Sequence, residues 1–129
     1  MNSNLLIDRC DLIFNRLIID SKIAVEFYNT VNNTSFRIES DFNIIRNCNT
    51  LSFTIAALTN LDELQLLLDL EVDSCDIAEA GDISLIFSDG THIHVPHDQQ
   101  FESWDLNLSN MQIHSIAGYG YAVFRDSND

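Results

Sequence analysis

The stretch Ile83-Ser-Leu-Ile-Phe-Ser-Asp-Gly-Thr-His-Ile-His-Val95 decides the fold. Two runs rich in β-branched and aromatic residues flank Asp89-Gly90, a dipeptide that suits the positive φ angles of a tight type I′ turn. A two-residue turn sets Ser88 opposite Thr91, Phe87 opposite His92, Ile86 opposite Ile93 and Leu85 opposite His94. One face of the hairpin then carries Ile83, Leu85, Phe87, His92 and His94. The other carries Ile86, Ile93 and Val95 with Ser84, Ser88 and Thr91. Both faces are largely apolar, so the hairpin is expected to lie centrally and be covered on both sides.

Working outward, period-two alternation continues through most of the chain. Residues 11–19, 23–28, 35–39, 42–46 and 52–56 read as strands, and Asn29 to Thr34 as a turn. Downstream, Trp104, Leu106 and Leu108 share one strand face, and Met111 to Ala117 pairs with Tyr121 to Phe124 around Gly118 and Gly120. One short helix is expected, with Asn60 as N-cap, Glu63 completing a capping box, and Leu61, Leu64, Leu67 and Leu68 at helical spacing as far as Asp69. A faint echo links Ile23-Ala-Val-Glu-Phe-Tyr28, a turn and Ser35-Phe-Arg-Ile38 with Ile83 to Ser88, a turn and Thr91 to Val95. Repeating hairpins of a meander account for it better than duplication does. The 129 residues form one domain, long enough to bury a core without a disulfide or metal. The expected class is mainly β (α+β): a single curved antiparallel sheet or half-barrel meander with one short helix.

After the helix, Leu68, Leu70 and Val72 alternate with Asp69, Glu71 and Asp73. In an extended chain that alternation puts three carboxylates on one face. Asp76, Glu79 and Asp82 continue the acidic run to Gly81 and just beyond it. The chain as a whole has 20 acidic and 6 basic side chains, a formal charge of −14. Residues 1–60 hold five basic and six acidic residues, a sum of −1, and residues 61–129 hold Arg125 against fourteen acidic residues, a sum of −13. Simple solubility accounts for acidity in general. It does not account for the absence of every Lys and Arg between Asn47 and Phe124. Phosphate backbones and anionic membranes repel such a surface, whereas a cationic protein is drawn to it. Neither nucleic acid nor membrane is therefore an expected partner. Asp69, Glu71, Asp73, Asp76, Glu79 and Asp82 are the expected binding face.

Signatures of catalysis are missing. No Gly-x-Ser-x-Gly elbow and no phosphate-binding glycine loop occurs, and the acidic stretch lacks calcium-loop spacing. Cys10, Cys48 and Cys75 are odd in number and widely spaced, which reads as reduced thiols in a cytoplasmic protein rather than a disulfide frame. His92 and His94, two apart on a strand, point the same way and offer a pair of ligands, with zinc the fitting ion and His97 or His114 as possible neighbours. No third ligand has diagnostic spacing, so the expectation is no metal and no cofactor. A metal-binding domain or metalloenzyme built on His92 and His94 stays open as an alternative, as does a structural adaptor with no toxin partner.

Phe87-Ser-Asp-Gly-Thr-His-Ile-His-Val-Pro96, then Phe101-Glu-Ser-Trp-Asp-Leu106, then Gly118-Tyr-Gly120 resembles immunity proteins of polymorphic-toxin and contact-dependent growth inhibition systems. The likeness spans roughly residues 70 to 124 and rests on the Asp-Gly hairpin and the Glu102-x-Trp104 strand. The closing strand departs from that pattern, ending in Phe124 instead of tryptophan, and its glycines are not adjacent. The resemblance implies a non-enzymatic protein that binds the C-terminal domain of a cognate toxin one to one. A basic nuclease, whose cleft it covers, is the toxin type that fits the charge. Tyr119 and Tyr121 are the aromatic side chains expected to anchor beside the carboxylates.

Overall fold

The computed structural model describes residues 4–125. Mostly β as expected, the chain forms two six-stranded antiparallel sheets rather than one curved sheet. Its strands are β1 (Leu5–Ile13), β2 (Arg16–Asp20), β3 (Ala24–Tyr28), β4 (Ser35–Ile38), β5 (Phe42–Arg46) and β6 (Asn49–Phe53), followed by β7 (Glu71–Ile77), β8 (Ile83–Phe87), β9 (His92–Val95), β10 (Trp104–Leu108), β11 (Met111–Ser115) and β12 (Tyr121–Arg125). The first sheet runs β1-β7-β8-β9-β5-β6 and the second β12-β11-β10-β4-β3-β2. The connections β1–β2, β4–β5 and β9–β10 each pass from one sheet to the other. A curved single sheet would leave one side of its apolar residues open to water. Two sheets sharing one core cover both sets, and that core takes Phe27, Phe36 and Trp104 from one sheet and Ile44, Leu85 and Ile93 from the other.

The faint sequence echo corresponds to a duplicated topology. Strands β2-β3-β4 pair in order, then the chain crosses to β5-β6; strands β7-β8-β9 pair in order, then it crosses to β10-β11. Each sheet thus contains three strands of one unit and two of the other. Val25 opposite Ile38 and Ile83 opposite Val95 hold equivalent places. β1 and β12 are additions at opposite ends of this pattern.

The central hairpin is one residue out of the expected register. Ile83 pairs with Val95, Ser84 with His94, Leu85 with Ile93 and Ile86 with His92. Ser88, Asp89 and Gly90 form a three-residue loop: the Phe87 N–H donates to the Thr91 carbonyl at 2.8 Å and the Gly90 N–H to that of Phe87 at 2.9 Å. The Asp89 carboxylate accepts the Thr91 N–H at 2.9 Å, and Gly90 takes φ +88°, the left-handed residue this longer loop needs. A shift of one residue exchanges faces along one strand. Ile83, Leu85, Phe87, Thr91, Ile93 and Val95 therefore all enter the core, and Ser84, Ile86, His92 and His94 share a half-exposed face. Both histidines keep their common side, but they lie away from Ile83, Leu85 and Phe87. The hairpin is central in its sheet and covered on one face only.

The helix is shorter than expected. It spans Leu61–Gln65, with Leu64 buried inside it and Leu67 buried just beyond its end. Asn60 takes the left-handed conformation (φ 57°) and its side chain makes no cap. Glu63 is drawn instead to Arg46, whose Nη1 donates to Oε2 at 2.6 Å. That charge-assisted bond, between a helix and the β5 end, outcompetes the reciprocal cap.

Candidate functional site: an acidic sheet edge

At the edge of the first sheet, β1 lies antiparallel to β7, with Leu5 opposite Ile77 and Ile13 opposite Glu71. The ladder is interrupted. Asp8 faces Ser74 and Leu12 faces Val72, so Arg9, Cys10 and Asp11 together oppose Asp73 alone. On the other side of β7, Val72 faces Phe87 and Ser74 faces Ile86, which makes Asp73 the extra residue of a bulge. Arg9 and Asp11 both take φ 54°, the left-handed region that lets a strand fold outward locally. Bulges re-aim side chains. Here they gather Asp8, Arg9, Asp11, Glu71 and Asp73 around one shallow cleft of about 440 Å³. All five are exposed.

The expected carboxylate ladder is thus partly present and partly dispersed. Glu71 and Asp73 are exposed on β7, and Asp76 follows on the outer face between Leu6 and Ser84. Asp69 is not in the strand: it sits in a turn at φ 67°, its N–H donating to the Phe14 carbonyl at 2.8 Å. Glu79 lies past the strand end, where its N–H donates to Asn4 Oδ1 at 2.8 Å. Asp82 is half-buried and engaged with histidines instead. Its Oδ1 accepts the His97 backbone N–H at 2.9 Å and the His97 ring Nδ1 at 2.5 Å, and Oδ2 lies 3.8 Å from His94 Nε2.

Asp8 and Asp11 were missed by the sequence reading because they belong to the near-neutral half of the chain. The two halves do not map onto two flanks. β1 comes from the N-terminal half and pairs with β7, and the second sheet likewise mixes β10–β12 with β2–β4. Two of the cations of that N-terminal half are also spent locally. Arg37 lies within 3.4–3.7 Å of Asp20, Glu26 and Glu39, and Arg46 binds Glu63.

A second cluster closes the end of the sheet beyond β7. The Gly81 carbonyl accepts the buried Trp104 Nε1–H at 2.7 Å, and the Gly120 N–H donates to Ala80 at 2.6 Å. Tyr119, 61% exposed, stands edge-on to His97 with ring centroids 6.5 Å apart. Tyr121 is half-buried and packs against the core, so it is not the exposed anchor expected. Burial works to raise the Asp82 pKa, but the hydrogen bonds from His97 and the nearby His97 and His94 rings outweigh it and hold the carboxyl below its ordinary value. A depressed folded-state pKa contributes stability above the unfolded value, near 3.9, and that contribution is lost as pH falls through the folded value. Asp82→Asn should therefore destabilise the protein at pH 6, and the gap to wild type should narrow below about pH 4. Chemical denaturation across that range reads both.

His94 Nδ1 lies 3.1 Å from Ser84 Oγ, and its Nε2 lies 3.8 Å from Asp82 Oδ2. Among the described residues, no three His, Cys, Asp or Glu side chains converge as metal ligands would. Nor is any helix there long and apolar enough to cross a membrane.

The fold and this edge define a two-sheet β protein with an open acidic flank. The family model described as "Family of unknown function (DUF6188)" matches residues 11–124, and the chain belongs to that family. No curated protein and no solved structure gives a significant match.

Proposed function

We propose that this protein is an immunity-type inhibitor: its acidic β1–β7 edge docks the basic C-terminal domain of a cognate toxin, one to one, and covers a nucleic-acid-cleaving cleft. The observation that carries this reading is the convergence of Asp8, Asp11, Glu71 and Asp73, from strands far apart in sequence, on one exposed cleft where four carboxylates outnumber the single cation Arg9. Like charges held together cost folding energy. A cationic surface relieves that cost and gains from it, because complementary potentials steer encounter and displace the natural substrate of a phosphate-binding cleft. The surface extends along β7 for about 20 Å at the usual rise per residue. Near its far end, Glu79 and the exposed Tyr119 flank the Gly81 loop and supply an aromatic contact. The resemblance of the Asp-Gly hairpin and Glu102-x-Trp104 segment to immunity proteins points to the same partner class and to action in the cytoplasm.

Titration against the purified polypeptide encoded by the adjoining reading frame tests the reading. A one-to-one complex that silences its nuclease activity, and weakens steeply with added salt, is the expected result. Absence of binding, or binding indifferent to salt, overturns it.

A further inference from the structure

Two of the three cysteines, separated by 65 positions in the chain, meet across β1 and β7 with their sulfurs 3.3 Å apart. Cys10 sits in the bulge between Asp8 and Asp11, half-buried, and Cys75 is fully buried on the neighbouring strand. Cys48 is exposed in the β5–β6 turn, apart from both. We propose that Cys10 and Cys75 form an oxidation site, converted by a peroxide-class oxidant into a reversible disulfide that ties β1 to β7. This inference is independent of the toxin-binding reading.

The geometry assigns different roles to the two sulfurs. Cys10 lines an open cleft of about 440 Å³ bounded by Ile7, Leu12, Leu108 and Met111, so a small oxidant reaches it from solvent. Cys75 is fully buried and does not line that cleft. Cys75 stands opposite Ile7, and Cys10, in the bulge after Asp8, still brings its sulfur to 3.3 Å from that of Cys75; a sulfur–sulfur bond of about 2.05 Å needs only a modest approach from there. The left-handed residues on either side of Cys10 mark a stretch of β1 free of regular ladder pairing, where such an adjustment is least costly. The hydrogen bond with Cys75 lowers the Cys10 pKa, against burial and the Asp8 charge, while that bond and burial push Cys75 up. Cys10 is thus the attacking thiolate and Cys75 the resolving thiol.

The chemistry balances in two steps. The Cys10 thiol first gives its proton to solvent; the thiolate sulfur attacks one peroxide oxygen, the O–O bond breaks, and the departing hydroxide takes a proton back from solvent as water, leaving a sulfenic acid. Cys75 sulfur then attacks Cys10 sulfur, the S–O bond breaks, and the leaving hydroxide takes the Cys75 proton as a second water. Two thiols are oxidised and one peroxide is reduced.

The test uses the full chain carrying Cys48→Ser, treated with hydrogen peroxide, denatured, and alkylated with N-ethylmaleimide for intact mass and peptide mapping. Two thiols should label before oxidation and none after, with a loss of about 2 Da, a Cys10–Cys75 linked peptide, and full reversal by dithiothreitol. Persistence of two labelled thiols overturns the proposal. So does oxygen addition at Cys10 while Cys75 still labels. In Cys75→Ala, Cys10 should instead accumulate added oxygen; if that variant does not fold, the linkage map of the parent protein decides alone.

Discussion

Replacing Glu71 and Asp73 together with lysine should weaken the proposed toxin complex by about 100-fold at low ionic strength, equivalent to roughly 3 kcal/mol. Both side chains are exposed, so the variant keeps its core: Val72, Cys75 and Ile77, which alternate with the acidic positions of β7, are the buried ones. Reversal also removes part of the repulsion with Asp8 and Asp11 across the cleft, and the free protein should be as stable as wild type or slightly more so. The loss should fall mainly on the association rate, because exposed charges steer encounter more than they hold the final complex. It should shrink above about 0.5 M salt, where screening shortens the reach of charge to a few ångströms. Stopped-flow or surface binding at two salt concentrations separates these quantities. Equal loss at both salts would place the two side chains in a close structural contact instead of a steering field.

The largest stability effect is expected at Trp104. Its ring is 1% exposed, packs against Phe36 with centroids 6.5 Å apart, and donates Nε1–H to the Gly81 carbonyl. Trp104→Ala removes a large buried side chain and leaves that carbonyl without its donor, a combined cost of about 4–6 kcal/mol. A single domain has about 5–15 kcal/mol in total, so the variant should be barely folded at 37 °C. Trp104→Phe keeps most of the apolar volume and loses chiefly the hydrogen bond, at about 1–2 kcal/mol. The difference between the two variants, read by chemical denaturation, separates packing from loop anchoring. If Trp104→Phe costs as much as Trp104→Ala, the link to the Gly81 loop is the principal contribution.

The anchor also positions the surface. Gly81 has φ +112°, and a side chain there would run into the Gly120 carbonyl, so the β7–β8 and β11–β12 connections are pressed together at glycine. Trp104 reaches from the second sheet and fixes that junction. Asp82, His97 and Tyr119 are held beside it, and β7 leaves it toward the acidic cleft.

Much of this was legible because it is local. Alternation of Phe36 with Ile38, of Phe42 with Ile44 and of Trp104 with Leu106 set out strands, and these six side chains are buried. The Asp89-Gly90 turn was real, yet the choice between a two- and a three-residue loop depends on which side of His92 meets the core. That preference is tertiary, and Ile93 and Val95 decided it. Glu63 likewise looked like a capping partner until Arg46 arrived from a distant strand.

The acidic site was half legible for the same reason. Glu71 and Asp73 announced themselves by alternation, although the bulge that re-aims Asp73 depends on β8 as well as β1. Asp8 and Asp11 carried no local signal, since their membership follows from β1 pairing with a strand some 60 residues away. Asp82 belonged to the same acidic run in sequence and was diverted by His97, which a one-dimensional charge count does not see. The Cys10–Cys75 encounter is invisible at the level of spacing alone.

Hydrogen exchange on the complex with the adjoining gene's product tests the docking surface most directly. Amides in residues 7–13 and 71–77 should become protected, together with the Gly118–Gly120 turn, while β5 and β6 at the far edge of the same sheet keep their free-state rates. Protection centred on β5 and β6, or on the outer side of the other sheet, with β1 and β7 unchanged, would contradict the assignment of the acidic edge as the place where the partner binds.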